Sequence, residues 1–320
     1  MNENNAPMDL SVIIVNWNTK LLLHECIESL CSHPPQRSME IIVVDNASID
    51  GSCEMVESCF PQVKLIRNSQ NVGFARANNV AIEASSGKYV ALVNSDVRVL
   101  PGCLDALADF LDRNPSVGNV GPRVLNSDLT LQASTRNFPN LWNNFCAALG
   151  LATAFPRRKW CSGEPMLYFD HARTRRVDVL VGCFWLLRRS AIEQIGMLDE
   201  DFFMYGEDLD WCRRCWDAGW EIVFSPDAEA IHHRGRSSAA QPVRAAVTQQ
   251  YSVLHYWDKH HGTAARMAIR GLFFSRYAIR YLVGVCAVRL RIAGERQSHS
   301  RVEISKACVS ALLSGRPATS

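Results

Sequence analysis

The chain has 320 residues, 48% of them hydrophobic, enough for one large α/β domain with an appendage or for two small domains. Its 34 basic residues stand against 32 acidic ones, a net charge of +2, which excludes a global field for nucleic acid or any other polyanion. The 12 cysteines fall in strand-like and helix-like segments behind a polar start, Met1 to Asp9, with no apolar core of a secretory signal; buried free thiols in a reducing cytoplasm are expected.

Leu10 to Val15 is a short apolar run that ends on Asn16-Trp17-Asn18-Thr19, and Leu21 to Leu23, Ile27 and Leu30 then recur at helical spacing. The chain therefore opens as strand, polar loop and helix. The pattern repeats at Glu40 to Val44, followed by Asp45-Asn46-Ala47-Ser48, with Asp50 placed to cap a helix around Glu54 to Cys59. Val63 to Ile66 predicts a third strand, Asn68 to Gly73 a turn, and Phe74, Ala77, Val80, Ala81 and Ala84 one face of a helix. Lys88 to Val93 predicts a fourth strand, which stops abruptly on Asn94-Ser95-Asp96. Short apolar runs alternating with helical patterns imply right-handed crossovers and a mostly parallel, Rossmann-like sheet covered on both faces.

The first strand-to-helix turn, Asn16-Trp17-Asn18, lacks the glycines with which a dinucleotide-binding turn lets its backbone approach a pyrophosphate. Amides and a carboxylate at strand ends suit hydrogen bonding to a base edge and ribose hydroxyls instead. Asp45 is the strongest such candidate.

A helix from Pro101 to about Asn114 and a strand over Val117 to Val124 continue the sheet. From Asn126 to Arg176 the periodicity disappears among Asn, Pro, Arg and aromatic residues, an insertion of the kind that shapes a substrate cleft. Val177 to Arg188 restores a strand pattern interrupted at Gly182-Cys183. Asp199 to Trp211 packs six carboxylates and four aromatics into thirteen residues, with Glu207 and Asp208 in a first helical turn, where the macrodipole favours negative charge. Cys212 and Cys215 are a single CxxC inside that helical pattern, with no second pair to complete a zinc site. Trp220 to Phe224 is the next strand, and His232-His233-Arg234-Gly235 closes the domain.

Between Ala264 and Gly294, aromatic and aliphatic residues alternate with six arginines and no acid. Its longest uncharged run, Tyr281 to Val288, is shorter than the roughly 20 residues of a membrane span, so an interfacial helix on anionic lipid fits better. After Glu295 a polar, loosely ordered tail is expected.

Taken together, Asn16-Trp17-Asn18, Val44-Asp45-Asn46-Ala47-Ser48, Asn71-Val72-Gly73-Phe74-Ala75, Asn94-Ser95-Asp96, Gly206-Glu207-Asp208-Leu209-Asp210 and His232-His233-Arg234-Gly235 resemble, in order, the motifs of the family 2 glycosyltransferases, most of all a rhamnosyltransferase-like branch. The resemblance implies a GT-A domain over residues 9–240, followed by a C-terminal helical segment over 241–320. It implies inverting transfer of a sugar, such as rhamnose from dTDP-rhamnose, from a nucleotide diphosphate donor to a glycan or lipid-linked acceptor in cell-surface polysaccharide synthesis. The protein would then be cytoplasmic and peripheral on the inner face of the cytoplasmic membrane.

By the same resemblance, Asn16, Asn18, Asp45, Asn71 and Arg76 belong to the donor pocket. Asn94-Ser95-Asp96 stands at the family's DxD position, so Asp96 would bind Mg²⁺ or Mn²⁺, with His232 as second ligand and His233 as its alternative. Asn94 keeps an oxygen for metal or ribose but loses a charge. Asp208 would be the general base, and Glu207 a second catalytic candidate suited to orienting acceptor hydroxyls. A non-catalytic sugar-nucleotide-binding protein is the alternative reading, disfavoured by the presence of Glu207-Asp208 alongside Asp96.

Overall fold

The computed structural model describes residues 8–233, 241–289 and 295–314. Arg234 and Gly235 of the last motif, and Arg291, lie outside the described residues. The chain forms two units: Met1–Phe138, Pro165–Phe203 and Glu207–Ser237 make the larger, and Pro139–Glu164, Met204–Gly206 and Ser238–Ser320 the smaller.

The larger unit is built from alternating strands and helices: β1 (Leu10–Asn16), α1 (Lys20–Ser32), β2 (Met39–Asp45), α2 (Ser52–Cys59), β3 (Lys64–Arg67), α3 (Phe74–Glu83), β4 (Tyr89–Asn94), β5 (Val97–Val99), α4 (Cys103–Arg113) and β6 (Val117–Leu125). After the small strands β7 (Thr135–Arg136), β8 (Arg175–Arg176) and β9 (Val179–Leu180) come β10 (Phe184–Arg188), α7 (Arg189–Ile195), α8 (Glu207–Asp217) and β11 (Glu221–His232). Nine strands form one sheet in the order β3-β2-β1-β4-β10-β6-β11-β5, with β8 added to β11, and β7 pairs with β9 apart from it.

The first half is parallel, as the βα alternation predicts: β2 and β4 flank β1, and β3 follows β2. The second half is mixed. Strand β10 runs antiparallel between β4 and β6, and β5 antiparallel beside β11. A run buried on both faces looks the same in either direction, so direction is not in its pattern.

Alternation along each strand divides the core. Leu10, Val12 and Ile14 of β1 face a cluster with Leu23, Ile27 and Leu30 of α1 and Leu104, Leu107 and Leu111 of α4, all buried. On the other side α3 packs through alanines, Ala75, Ala77 and Ala81, so that its axis lies close to the sheet.

Register brings the polar strand ends to one edge. Asn16 lies opposite Asp45, and Val15 lies between Val44 and Asn94. The start of β10 shares that edge, because Phe184 pairs with Val93 and Asn94 N–H donates to Cys183 O (3.0 Å). Strand β11 is longer than its sequence pattern suggests. It passes an irregularity between Ser225 and Glu229 and ends with His232 opposite Val97 of β5, next to Asp96.

The smaller unit contains α5 (Leu141–Ala148) and α6 (Leu151–Ala154), then α9 (Pro242–Arg289) and α10 (Glu295–Ser314), a helix where the polar sequence suggested a loose tail, held by its buried Cys308 and Leu312. Helix α9 is broken at Gly262, where φ is +77°. Its span Pro242–Val288 is long and apolar enough to cross a membrane by length and composition, arginines included; counting only the uncharged run underestimated it.

All 12 cysteines are free, and Cys212 and Cys215 lie buried on α8 as helix-packing thiols. Burial pushes the Cys215 thiol up to about 12.

The approach of the chain before β4 to β1 depends on Gly87. A Cβ there would lie 2.5 Å from Ser11 N and 2.8 Å from Leu10 C, both backbone atoms of β1. Gly87 N–H also donates to Ser11 Oγ (2.7 Å), which donates to Glu40 Oε1 (2.6 Å). Gly87→Ala is expected to lower stability by about 1–3 kcal/mol through overpacking. A denaturant midpoint equal to that of the parent chain would contradict this.

Candidate functional site

The edge where β1, β2 and β4 end is tied together by short polar side chains. Asn16 Nδ2 donates to Asp45 Oδ1 (2.8 Å) and Ser48 Oγ (3.1 Å), while its Oδ1 accepts from Thr19 Oγ1 (2.7 Å). Thr19 Oγ1 also lies 2.8 Å from Ser95 Oγ, which joins β1 to the turn after β4. Asp45 is buried, and its second oxygen accepts from Ser48 N–H (2.8 Å). The Cys53 thiol is a further hydrogen-bond partner of this carboxylate. Asn18, at φ +52°, holds the facing loop: its N–H donates to Ser48 Oγ and its Oδ1 accepts from Ile49 N–H, both at 2.8 Å. Asp50 accepts the amides that start α1 and α2, Lys20 N–H at 2.8 Å and Ser52 N–H at 3.1 Å.

The Asn71 motif has a structural reason. Asn71 Oδ1 accepts from Gly73 N–H (3.0 Å), and Phe74 N–H donates to Phe203 O (2.8 Å). Gly73 has φ +88°, and a Cβ on it would sit 2.5 Å from Phe203 O; only glycine fits. Asn79 of α3 holds the same loop by its backbone, donating to Leu198 O (2.8 Å) and accepting from Leu198 N–H (3.0 Å). Arg76 points outward, 60% exposed, with Nε 3.6 Å from Glu200.

Asp96 and His232 meet across β5 and β11, with Oδ1 3.2 Å from Nε2 and both side chains largely buried. Gln132, which the sequence reading passed over, sets the histidine. Its amide Nε2 donates to Asn126 Oδ1 (2.7 Å) and His232 O (3.2 Å), so Oε1 is left to accept from His232 Nδ1 (2.6 Å). With the Nδ1 proton so engaged, the neutral ring turns an Nε2 lone pair toward the Asp96 carboxylate. Two acceptors facing each other require a proton or a cation between them. His233 points elsewhere: Nδ1 lies 2.8 Å from Ser127 Oγ and Nε2 3.6 Å from Glu25, while its N–H donates to Asp96 O (2.9 Å). Of the two histidines, His232 is thus the one whose ring faces the Asp96 carboxylate. Asn94 Oδ1 is buried and has no hydrogen-bond partner among the described residues.

Glu207 and Asp208 open α8, and both are buried. Asp208 Oδ1 accepts from Leu209 N–H (2.9 Å) and Oδ2 from Gly182 N–H (3.4 Å). Glu207 Oε2 is buried without a partner among the described residues. Burial, then the neighbouring Asp208 charge, pushes the Glu207 carboxyl up to about 8, against the opposing pull of Arg136. Asp210 differs: it is fully buried and pairs with Arg214 (2.8 Å), whose guanidinium also reaches Ile195 O and Met197 O.

The two acidic stations are joined through Gly182-Cys183. Gly182 touches Asp208, and Cys183 O accepts from Asn94 N–H. The Cys183 thiol is raised to about 12 by burial, then by the charge of Asp96, with a smaller contribution from Asp208. Gln132, Arg136 and Gly182 carried no motif that would have marked them.

The raised Glu207 carboxyl links stability to pH. The folded chain holds a proton that the unfolded chain releases near 4.5, so stability should fall as pH rises from about 4.5 to about 8 and level off above. Glu207→Gln should flatten the decline in melting temperature over that window. An unchanged profile would place the proton elsewhere.

The profile of Glycosyl transferase family 2 matches residues 11–196. The chain is 31% identical over 277 residues to an N-acetylglucosaminyl-diphospho-decaprenol L-rhamnosyltransferase of Mycobacterium tuberculosis, covering 82% of this chain and 89% of the relative. It is 27% identical over 231 residues to the low-salt glycan biosynthesis hexosyltransferase Agl10 of Haloferax volcanii, covering 71% and 67%. In fold it is similar to the mannosyltransferase PcManGT of Pyrobaculum calidifontis, solved in complex with GDP-Man and Mn²⁺, with a TM-score of 0.55 at 16% identity over 98% of this chain and 89% of that one. The mixed sheet read above is the GT-A architecture that the motifs implied. The chain belongs to glycosyl transferase family 2 and is a glycosyltransferase, similar over most of its length to a rhamnosyltransferase.

Proposed function

We propose that the chain moves a sugar, with inversion at the anomeric carbon, from a nucleotide diphosphate donor of the dTDP-rhamnose type to a hydroxyl of a lipid-linked glycan. The work would take place at the cytoplasmic face of the membrane, in cell-surface polysaccharide synthesis. The observation that carries this reading is the pair of buried acidic stations, Asp96 with His232 and Glu207 with Asp208, joined through Gly182-Cys183 at one edge of the sheet. Support for the donor and acceptor comes from similarity to an enzyme named for rhamnosyl transfer to a diphospho-decaprenol-linked sugar.

In this reading the Asp45 carboxylate accepts from the nucleoside, within a pocket whose shape Asn16, Asn18 and Asn71 maintain through their hydrogen bonds. Arg76 contributes at the rim. The chemistry of Asp96 and His232 fits a divalent cation: an oxygen and an imidazole nitrogen 3.2 Å apart match adjacent ligands of an octahedral ion with bonds near 2.1 Å, which lie about 3 Å apart. The orphaned Asn94 oxygen is one more available donor atom, for metal or ribose. Mg²⁺ or Mn²⁺ bound there supplies positive charge to the departing diphosphate.

Asp208 takes the proton of the attacking acceptor hydroxyl, a role worth about 10²–10⁴-fold in rate. Glu207, protonated below about 8, presents an O–H donor that orients an acceptor oxygen.

Asp208→Asn should retain donor binding, read as a thermal shift with nucleotide sugars and Mn²⁺, and lose transfer by about 10²-fold or more. Normal turnover would remove Asp208 from the role of base. Transfer should also stop in EDTA and return with Mn²⁺ or Mg²⁺. In His232→Ala the metal concentration for half activity should rise at least about tenfold, and a variant with the parent's metal dependence would exclude His232 as a ligand.

A further inference from the structure

We infer that the smaller unit docks on the surface of an anionic phospholipid bilayer through two arginine-flanked apolar faces, and that it lies on that surface without crossing it. The inference deepens the proposed action on a lipid-linked acceptor and names the contact surface.

The first face is on α9 beyond Gly262. One side of this helix packs on α10: Ile269 and Phe273 are buried there, as are Cys308 and Leu312. A Cβ on Gly284 would lie 2.7 Å from Val302 Cγ2, so the two helices approach closely. A soluble helix packed this way would normally turn charged residues outward. This one turns out Met267, Phe274, Ile279, Leu282 and Val283, from 39% to 62% exposed. Met267 and Phe274, seven residues apart, share one line along the helix, and Ile279, Leu282 and Val283 form an adjoining patch farther on. Arg276 and Arg280 lie beside these residues, while Arg266 pairs with Asp258 (3.4 Å) and Arg270 donates to Leu312 O; the sequence from 263 to 289 contains no Asp or Glu.

The second face is on α5, in the same unit. Asn140 and Asn143 form a capping box that starts this helix. Leu141, Trp142, Phe145 and Leu149 are then exposed, as is Trp160 farther on. Trp142 Nε1–H donates to Trp160 O (2.8 Å), and its ring stacks on Phe145 with centroids 5.8 Å apart. Arg157, Arg158 and Lys159 precede Trp160, and no acidic residue occurs from 139 to 163. Exposed aromatic rings beside a basic run suit the headgroup level of a bilayer.

Charge selects the occupant. A second copy of this chain would bring rows of cations against rows of cations, with no acid in either segment to pair them. Anionic lipid answers both the charge and the apolar face, and each basic side chain near such a surface strengthens binding. The pairing of α9 with α10 argues against a span, because α10 exposes Arg301, Glu303 and Lys306. A crossing α9 would carry those charges into hydrocarbon.

Flotation of the full chain with vesicles free of any acceptor tests this. The chain should float with vesicles of phosphatidylcholine containing roughly one-third phosphatidylglycerol, and about tenfold less with phosphatidylcholine alone or at high salt. The triple variant I279S, L282S, V283S should lose flotation while keeping the parent's circular dichroism and melting temperature, since these side chains are exposed. R276Q with R280Q should lose the preference for the anionic lipid. Alkaline carbonate should release the bound chain; retention would show a span and overturn the surface geometry. Vesicle binding unaffected by the triple variant would overturn the assigned face. A dimer in sedimentation equilibrium that the triple variant dissolves, without vesicle binding, would give the face to a second copy. Transfer to a water-soluble acceptor without vesicle binding would overturn docking alone, and docking without transfer would count against the proposed chemistry alone.

Discussion

Carboxylates taken out of water at one edge of a sheet constrain everything around them. Asp45, Asp96, Glu207 and Asp208 are all buried or nearly so, and an ionised carboxylate in such a place is costly unless hydrogen bonds or an opposite charge compensate it. Each finds a different solution. Asp45 uses an amide and a backbone N–H, Asp208 uses two backbone N–H groups, and Asp96 faces an imidazole. Glu207 has an oxygen with no partner and retains its proton instead.

These solutions explain the loops. The Asn16-Ser48-Thr19-Ser95 network joins strand ends that would otherwise be independent turns. Gly73 and Asn79 fasten α3 to the loop at Leu198–Phe203. Gln132 reaches from the insertion after β6 to fix one tautomer of His232. Supporting contacts of this kind set the orientation of a site whose working groups are few.

The asymmetry between Glu207 and Asp208 follows from placement rather than residue type. Adjacent acids at a helix start commonly complement the macrodipole and face water. Here both are buried, so their mutual repulsion is felt in a medium that screens it poorly. One of the pair is driven to hold a proton at neutral pH, and it is Glu207, because Asp208 has amides on both oxygens.

Much of this was legible in the chain itself. Apolar runs broken by Asn16, Asp45 and Asn94 determined the alternating βα unit and located its polar edge, because strand burial and turn chemistry are local properties of sequence. The Glu207-Asp208 and Asp96 positions were visible for the same reason. Tertiary structure alone decided strand direction in the second half and the extension of β11 to His232. It pointed the His232 ring at Asp96, brought in Gln132 and Arg136, and turned an apolar face of α9 outward. Each of these depends on what a residue meets across the fold: a histidine gains its tautomer from a glutamine a hundred residues away, and a carboxyl gains its proton from the water it has lost.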